Sequence, residues 1–169
     1  IRSVKTSGNT ALYDALAVYL DGAFSQDGRK VLLLYTDGAD TRSRTNLSEA
    51  LELVKASDVT IYAIGFQKNL PSSARTVQRM RLQQVTDLTG GRSFFPSDVD
   101  ELDEIYEEIS AELDGRYALG YVSENTKFDG RWRKIEVKID KSRSNLKNIK
   151  NIVVRNREGY FAPFLEDEP

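Results

Sequence analysis

The sequence contains neither cysteine nor histidine. That excludes disulfides, thiol and imidazole nucleophiles, histidine acid–base chemistry, and the donors that usually hold zinc. Any metal must be a hard, oxygen-bound cation such as Mg²⁺, Ca²⁺ or Mn²⁺. Long apolar runs are missing too. No stretch approaches the roughly 20 residues that cross a bilayer, so no membrane segment is expected. No cationic start followed by an apolar stretch marks a signal peptide, and the chain opens at Ile1 without Met, as an excised piece would. The lack of cysteine fits either redox compartment and assigns no location.

What is present describes an ordinary globular protein. The chain has 169 residues, 40% of them apolar and 30% charged, with a net charge of −2. This length suits one domain, or one domain with an extension, burying roughly two thirds of its unfolded surface. Charge is uneven: Asp98 to Asp114 holds nine acids and no base, whereas Lys127 to Arg157 holds eleven bases and three acids. Solvated faces of a helix and a hairpin account for this. Arg131-Trp132-Arg133-Lys134 mixes bases with an aromatic, but the slightly acidic chain carries no nucleic-acid motif, and no nucleic-acid partner is expected.

The organising stretch is Lys30 to Asp40. Val31 to Tyr35 is a continuous apolar run of strand length, suited to a parallel strand covered on both faces. It stops at Thr36-Asp37-Gly38, so the Asp37 carboxylate emerges at the strand's carboxyl end, where open α/β sheets bind ligands. The same tripeptide is also an ordinary turn, with Gly38 at positive φ and Asp37 bonded to nearby amides. Both readings stand on the residues alone.

In chain order, Leu12, Ala15, Leu16, Tyr19, Leu20, Ala23 and Phe24 form a helical stripe, with Asn9 or Thr10 as its cap. Asn46 and Glu49 have capping-box spacing ahead of Leu47, Ala50, Leu51 and Val54. Val59 to Phe66 reads as a second buried strand. A third helix follows Pro71, with Val77, Met80, Gln84, Val85 and Leu88 inward and Gly90-Gly91 as its stop. Arg92 to Phe95 is a short strand. Ser97 or Asp98 then caps a fourth helix with Val99, Leu102, Ile105, Tyr106, Ile109 and Leu113 on one side. This βαβ rhythm predicts an α/β fold, a doubly wound, mainly parallel sheet with flanking helices. From Arg116 the period changes to two. Tyr117 to Tyr121, Ile135 to Ile139 and Ile152 to Val154 alternate, predicting an antiparallel β extension with a turn at Phe128-Asp129-Gly130 and a mobile basic loop over 141–150. The expected division is 1–115 for the α/β part, 116–163 for the extension and 164–169 for an acidic tail.

Gly8-Asn9-Thr10-Ala11-Leu12-Tyr13-Asp14-Ala15-Leu16 and Thr36-Asp37-Gly38-Ala39-Asp40 together resemble the von Willebrand factor type A family. Ile61-Tyr62-Ala63-Ile64-Gly65 and Leu88-Thr89-Gly90-Gly91-Arg92-Ser93-Phe94-Phe95 resemble its later strands. Tyr117-Ala118-Leu119-Gly120-Tyr121 and Arg157-Glu158-Gly159-Tyr160 resemble the extension of a bacterial subgroup. The resemblance implies a metal-ion-dependent adhesion site at the carboxyl edge, with Thr10 and Asp37 as metal ligands and Gly8, Asn9, Gly38 and Asp40 beside them. An acidic side chain of a protein partner would complete the coordination sphere. The family's Asp-x-Ser-x-Ser loop, which supplies three further ligands, is not found at a strand end. Asp140-Lys141-Ser142-Arg143-Ser144 has the letters but follows a late antiparallel strand.

The chain therefore reads as a C-terminal portion of the family fold. Mg²⁺, Ca²⁺ or Mn²⁺ is expected in the complete domain and weakly or not at all here. The missing first strand would lie beside Val31 to Thr36, leaving that edge unpaired and open to self-association, to a separate fragment, or to the C-terminal strands folding back. Three functions compete: a non-enzymatic, metal-dependent protein-binding module; a structural or assembly module; and a hydrolase or phosphoacceptor using Asp37. By analogy with the family, the setting is extracytoplasmic or secreted.

Overall fold

The computed structural model describes residues 9–68, 70–140 and 152–164. Three parallel strands, β1 (Val31–Thr36), β2 (Thr60–Gly65) and β3 (Ser93–Phe94), lie in the order β1-β2-β3. Helices α1 (Leu12–Phe24), α2 (Leu47–Ala56) and α3 (Ser72–Thr89) alternate with them, and α4 (Leu102–Asp114) follows a 3-10 turn at Val99–Glu101. A separate antiparallel pair, β4 (Trp132–Lys134) and β5 (Gly159–Phe161), completes the α/β architecture.

The core has two parts, one on each face of the sheet. Leu12, Leu16 and Leu20 of α1, Ala50 and Val54 of α2, and Leu82 and Val85 of α3 pack with Ile61 and Ala63 of β2. On the other face Tyr62, Ile64 and Phe94 meet Ile105 and Ile109 of α4. Every residue of β2 from Ile61 to Gly65 is buried, as its apolar run predicts. β1 departs from the same expectation: Leu33 is 41% and Tyr35 55% exposed. Among the described residues it is an end strand of the sheet, and the cluster under α4 takes in only Val31 from it.

Local chemistry fixes the element ends. Asn46 accepts the Glu49 N–H at 3.0 Å while the Glu49 carboxylate accepts the Asn46 N–H at 2.9 Å, the reciprocal cap that the spacing predicts. Asp98, with Glu101, caps the turn before α4 in the same way. Gly90 closes α3 in the left-handed conformation. β3 is so short that it cannot pair with all of β2. The Ile61 N–H is instead accepted by the Thr89 hydroxyl at 3.0 Å, and Gly91 lies so close that a Cβ there would sit 1.9 Å from the Ile61 carbonyl oxygen.

Several stripes are rotated from their predicted positions. On α1, Tyr13 is buried, while Ala15, Tyr19 and Phe24 face outward. On α3, Val77, Met80 and Gln84 are exposed, and the inner face is Leu82, Val85, Thr86, Leu88 and Thr89. The two threonines hid that face because their inward positions serve hydroxyl bonds, Thr86 to Ser93 at 2.9 Å and Thr89 to the Thr86 carbonyl at 2.9 Å. Val99 and Tyr106 are exposed before and on α4.

The extension has less strand than alternation predicts. Tyr117–Tyr121, Ile135–Ile139 and Ile152–Val154 form no strand, and Tyr117 and Leu119 are exposed. Period two marks a segment with one wet face, but a strand also needs a bonded neighbour. The small sheet is β4 with β5, extended by an Asp129–Phe164 bridge. It packs on α2: Trp132 joins the core and Lys55 lies over its ring, 5.6 Å from the centroid. Arg157 donates to the Lys55 and Gly159 carbonyls, and the Glu158 N–H to the Leu88 carbonyl at 3.1 Å. These contacts tie 157–158 to the carboxyl ends of α2 and α3. The basic loop over 141–150 and residues 165–169 of the expected tail lie outside the described residues.

Candidate functional site

The carboxyl ends of the three strands converge on a depression of about 280 Å³ lined by Asp37, Phe66, Lys68, Leu70, Ser97, Asp98 and Val99. Asp37 enters it as the first residue beyond β1. Its backbone is set by a compact turn: the Thr36 hydroxyl accepts the Gly38 N–H at 3.1 Å, and Asp37 Oδ1 accepts the Ala39 N–H at 2.9 Å. Gly38 has φ +82, and a Cβ there would stand 3.0 Å from the Gln78 Cβ, so positive φ and tight packing on α3 both require glycine. The turn reading of Thr36-Asp37-Gly38 therefore holds, and it engages one carboxylate oxygen of Asp37.

The loop after this turn folds back over the start of α1. Thr10 donates its N–H to the Thr41 hydroxyl at 2.9 Å, and its carbonyl accepts the Thr41 and Arg42 N–H groups at 2.9 and 3.2 Å. Thr10 thus lies against the loop that Asp37 opens. Neither Thr10 nor Asn9 caps α1, contrary to expectation: the residue at the cap position is Ala11, which has no side-chain acceptor. The cap comes from the distant loop. Asp40 Oδ2 accepts the Tyr13 N–H at 3.0 Å, and the Ser43 hydroxyl accepts the Asp14 N–H at 3.0 Å. In return the Asp14 carboxylate accepts the Arg44 and Thr45 N–H groups at 3.1 and 2.9 Å.

These bonds fix the charge state of the loop. Partial burial opposes ionisation of Asp40, but the bonds from the Ser43 hydroxyl and from the Tyr13 and Ser43 amides together outweigh it and hold the carboxyl below the usual range. Asp14 is also held low, chiefly by the Thr45 and Arg44 amides. Asp40 therefore spends its oxygens on α1 and on Ser43. Gly8 lies outside the described residues, and Asn9 is exposed.

Several residues here gave no motif signal. Phe66, Lys68 and Leu70 follow β2, and Ser97, Asp98 and Val99 follow β3; the sequence marks Ser97 and Asp98 as cap candidates and Phe66 and Val99 as apolar positions, but none as a site residue. Lys68 and Asp98 form an exposed ion pair at 3.3 Å across the depression. Gln67, buried behind it, points its amide nitrogen toward the Asp37 carbonyl at 3.5 Å and accepts the Arg79 Nε–H at 3.2 Å. Arg79 in turn lies over the Phe95 ring, 4.5 Å from its centroid.

Among the described residues, no group of three or more Asp or Glu side chains is placed to hold a metal ion. With Asp40 engaged, Asp37 and the Thr10 hydroxyl are two oxygen donors where a hard cation takes about six. The donors present do not complete such a site.

The statistical description of the von Willebrand factor type A domain matches residues 1–108. Domains of this family generally mediate protein interactions, often through Mg²⁺ or Mn²⁺. A solved structure described as an uncharacterised membrane-spanning protein from Vibrio fischeri aligns with a TM-score of 0.41 and 24% identity. That alignment covers 66% of this chain and 61% of the other. No curated protein matches. No described helix is long and apolar enough to cross a membrane. With the family's description covering most of its length, on a parallel sheet whose carboxyl edge carries Thr36-Asp37-Gly38, the chain belongs to the von Willebrand factor type A family.

Proposed function

We propose that the chain is a non-enzymatic protein-binding module that meets its partner at the carboxyl edge of the sheet. The observation that carries this reading is the docking of loop 40–45 onto α1, which holds Thr10 against the loop begun by Asp37. Helix, turn and strand end are thereby locked as one rigid rim, and a preorganised rim loses little entropy on binding. Lys68, Asp98 and the apolar Phe66, Leu70 and Val99 give the adjoining depression an apolar floor with charges of both signs.

In the complete domain, Asp37 and Thr10 are metal ligands, joined by oxygens from segments outside this chain and by an acidic side chain of the partner. A cation with few protein carboxylates around it keeps enough positive charge to attract that side chain. The chain's own part is to fix where these two donors sit. Calorimetric titration of the complete domain with MnCl₂ tests the reading. Binding lost in Asp37→Ala, with an unchanged circular dichroism spectrum, is the expected result. Equal Mn²⁺ binding in both proteins would overturn the ligand role of Asp37.

A further inference from the structure

We propose that Gln67 and Arg79 are positioning residues for Asp37: together they hold the turn after β1 from behind and so fix where the Asp37 carboxylate points. The inference rests on the reading of Asp37 as a metal ligand in the complete domain. Gln67 is 4% exposed, and burying an unbonded amide costs free energy that an apolar side chain of the same size would not. Both ends of this amide are directed. Its Nε2 group points to the Asp37 carbonyl at 3.5 Å, and its Oε1 accepts the Arg79 Nε–H at 3.2 Å. A carbonyl can only accept and a guanidinium can only donate, so the two neighbours admit one orientation of the amide.

The far end of this row is anchored in the sheet. Arg79 lies over the Phe95 ring, 4.5 Å from its centroid. Phe95 in turn lies against Gly65, the last residue of β2, where a Cβ would stand 2.8 Å from the ring. Glycine lets the ring come that near, and the close contact leaves Phe95 little room to carry Arg79 elsewhere. The row therefore runs from Phe95 after β3, through Arg79 of α3 and Gln67 after β2, to Asp37 after β1. Its members beyond Asp37 belong to β2, β3 and α3, so it does not depend on the outer edge of β1.

The bonds inside the turn shape it without placing it. The Thr36 hydroxyl accepts the Gly38 N–H and Asp37 Oδ1 accepts the Ala39 N–H, both within the turn itself. The strand ladder ends one residue earlier, where the Phe66 N–H bonds to the Thr36 carbonyl at 3.2 Å. Gln67 extends that tie onto the Asp37 carbonyl. The Arg79 cation draws charge from Oε1 and makes the Nε2 group a stronger donor. One carboxylate oxygen of Asp37 is spent on Ala39, so the direction of the other follows from the peptide that Gln67 holds. Groups that orient a metal ligand from behind typically carry roughly 10–100-fold of the metal's affinity.

Gln67→Met keeps the length of the side chain and removes both bonds. In the metal-free complete domain it is expected to speed amide hydrogen exchange at Gly38 and Ala39 about tenfold, while Tyr62 and Ile64 of β2 exchange as in the parent. Titration of the same variant with MnCl₂ should give a Kd raised about tenfold or more, where Asp37→Ala abolishes binding. Arg79→Met, at an exposed position that spares the core, should move both readouts the same way. The double variant should be no worse than Gln67→Met alone, because the two residues act as one unit. Unchanged exchange at Gly38 and Ala39 would overturn the proposal, as would equal quickening through β2, which would make Gln67 an ordinary core residue. Quickened exchange with unchanged Mn²⁺ affinity would overturn it too. If Asp37→Ala itself kept full Mn²⁺ affinity, the ligand reading would fall, and exchange at Gly38 and Ala39 would alone decide whether Gln67 holds the turn.

Discussion

Asp40 Oδ2 and the Tyr13 N–H are bonded at 3.0 Å across 27 residues, so the loop leaving β1 supplies the cap that the sequence before α1 does not. The start of this helix and the rim of the candidate site are one structural unit.

Asp40→Ala is accordingly expected to cost about 1–2 kcal/mol, the usual range for loss of a helix cap, and Asp40→Asn to recover part of it. Urea denaturation followed by circular dichroism reads this as a lower midpoint. A midpoint within a few tenths of a kcal/mol of the parent would show that the loop does not hold the helix.

Acid should weaken the same unit. The folded-state pKa values of Asp40 and Asp14 lie below their unfolded values, so both carboxylates bind protons more readily when unfolded. Their stabilising contribution is present above the ordinary carboxylate pKa near 4 and is lost as pH falls through the depressed values. Unfolding free energies measured between pH 6 and about pH 2.5 should fall in the parent and fall less steeply in Asp14→Asn/Asp40→Asn. Equal slopes would remove these two residues from the account.

Two glycines should respond in opposite directions. Gly91→Ala puts a methyl group 1.9 Å from the Ile61 carbonyl oxygen, and a loss of about 3 kcal/mol or more, or failure to fold, is expected. Gly22 lies exposed inside α1 with nothing within 4 Å of a Cβ, so Gly22→Ala should stabilise by about 0.5–1 kcal/mol. Thermal melts of the two variants on either side of the parent are the expected outcome. A neutral Gly91→Ala would mean that β2 and the residues before β3 separate easily.

Magnesium should distinguish this chain from the complete domain. A ligand that binds only the folded state raises stability with the logarithm of its concentration over Kd. Melting of this chain is expected to be the same in millimolar Mg²⁺ and in chelator, while that of the complete domain rises with Mg²⁺ and loses the rise in Asp37→Ala. Micromolar Mg²⁺ affinity in this chain would refute the reading that Asp37 and Thr10 need further ligands.

Much of the layered core was readable from the chain because its signals are local. The Asn46–Glu49 cap and the apolar run of β2 depend on neighbours in sequence, and both appear where periodicity puts them. What escaped depends on partners far along the chain. Thr86 and Thr89 lie outside the apolar stripe predicted for α3, yet both face inward, Thr89 to serve β2 and Thr86 to meet Ser93. Ala11 stands at a helix start with no cap of its own, and nothing near it signals that Asp40 will supply one. In the candidate site, Asp37 was legible because a strand stops at it. Lys68 and Asp98 come together from beyond the ends of two other strands, and nothing local in the sequence signals that they pair.

The clasp of Arg157 and Glu158 on the carbonyls of Lys55 and Leu88 has a mechanical consequence. Both carbonyls lie near where β2 and β3 begin, at the rim remote from Asp37. The C-terminal segment is therefore fastened to the sheet at the end opposite Asp37, through β5 and the 157–158 contacts.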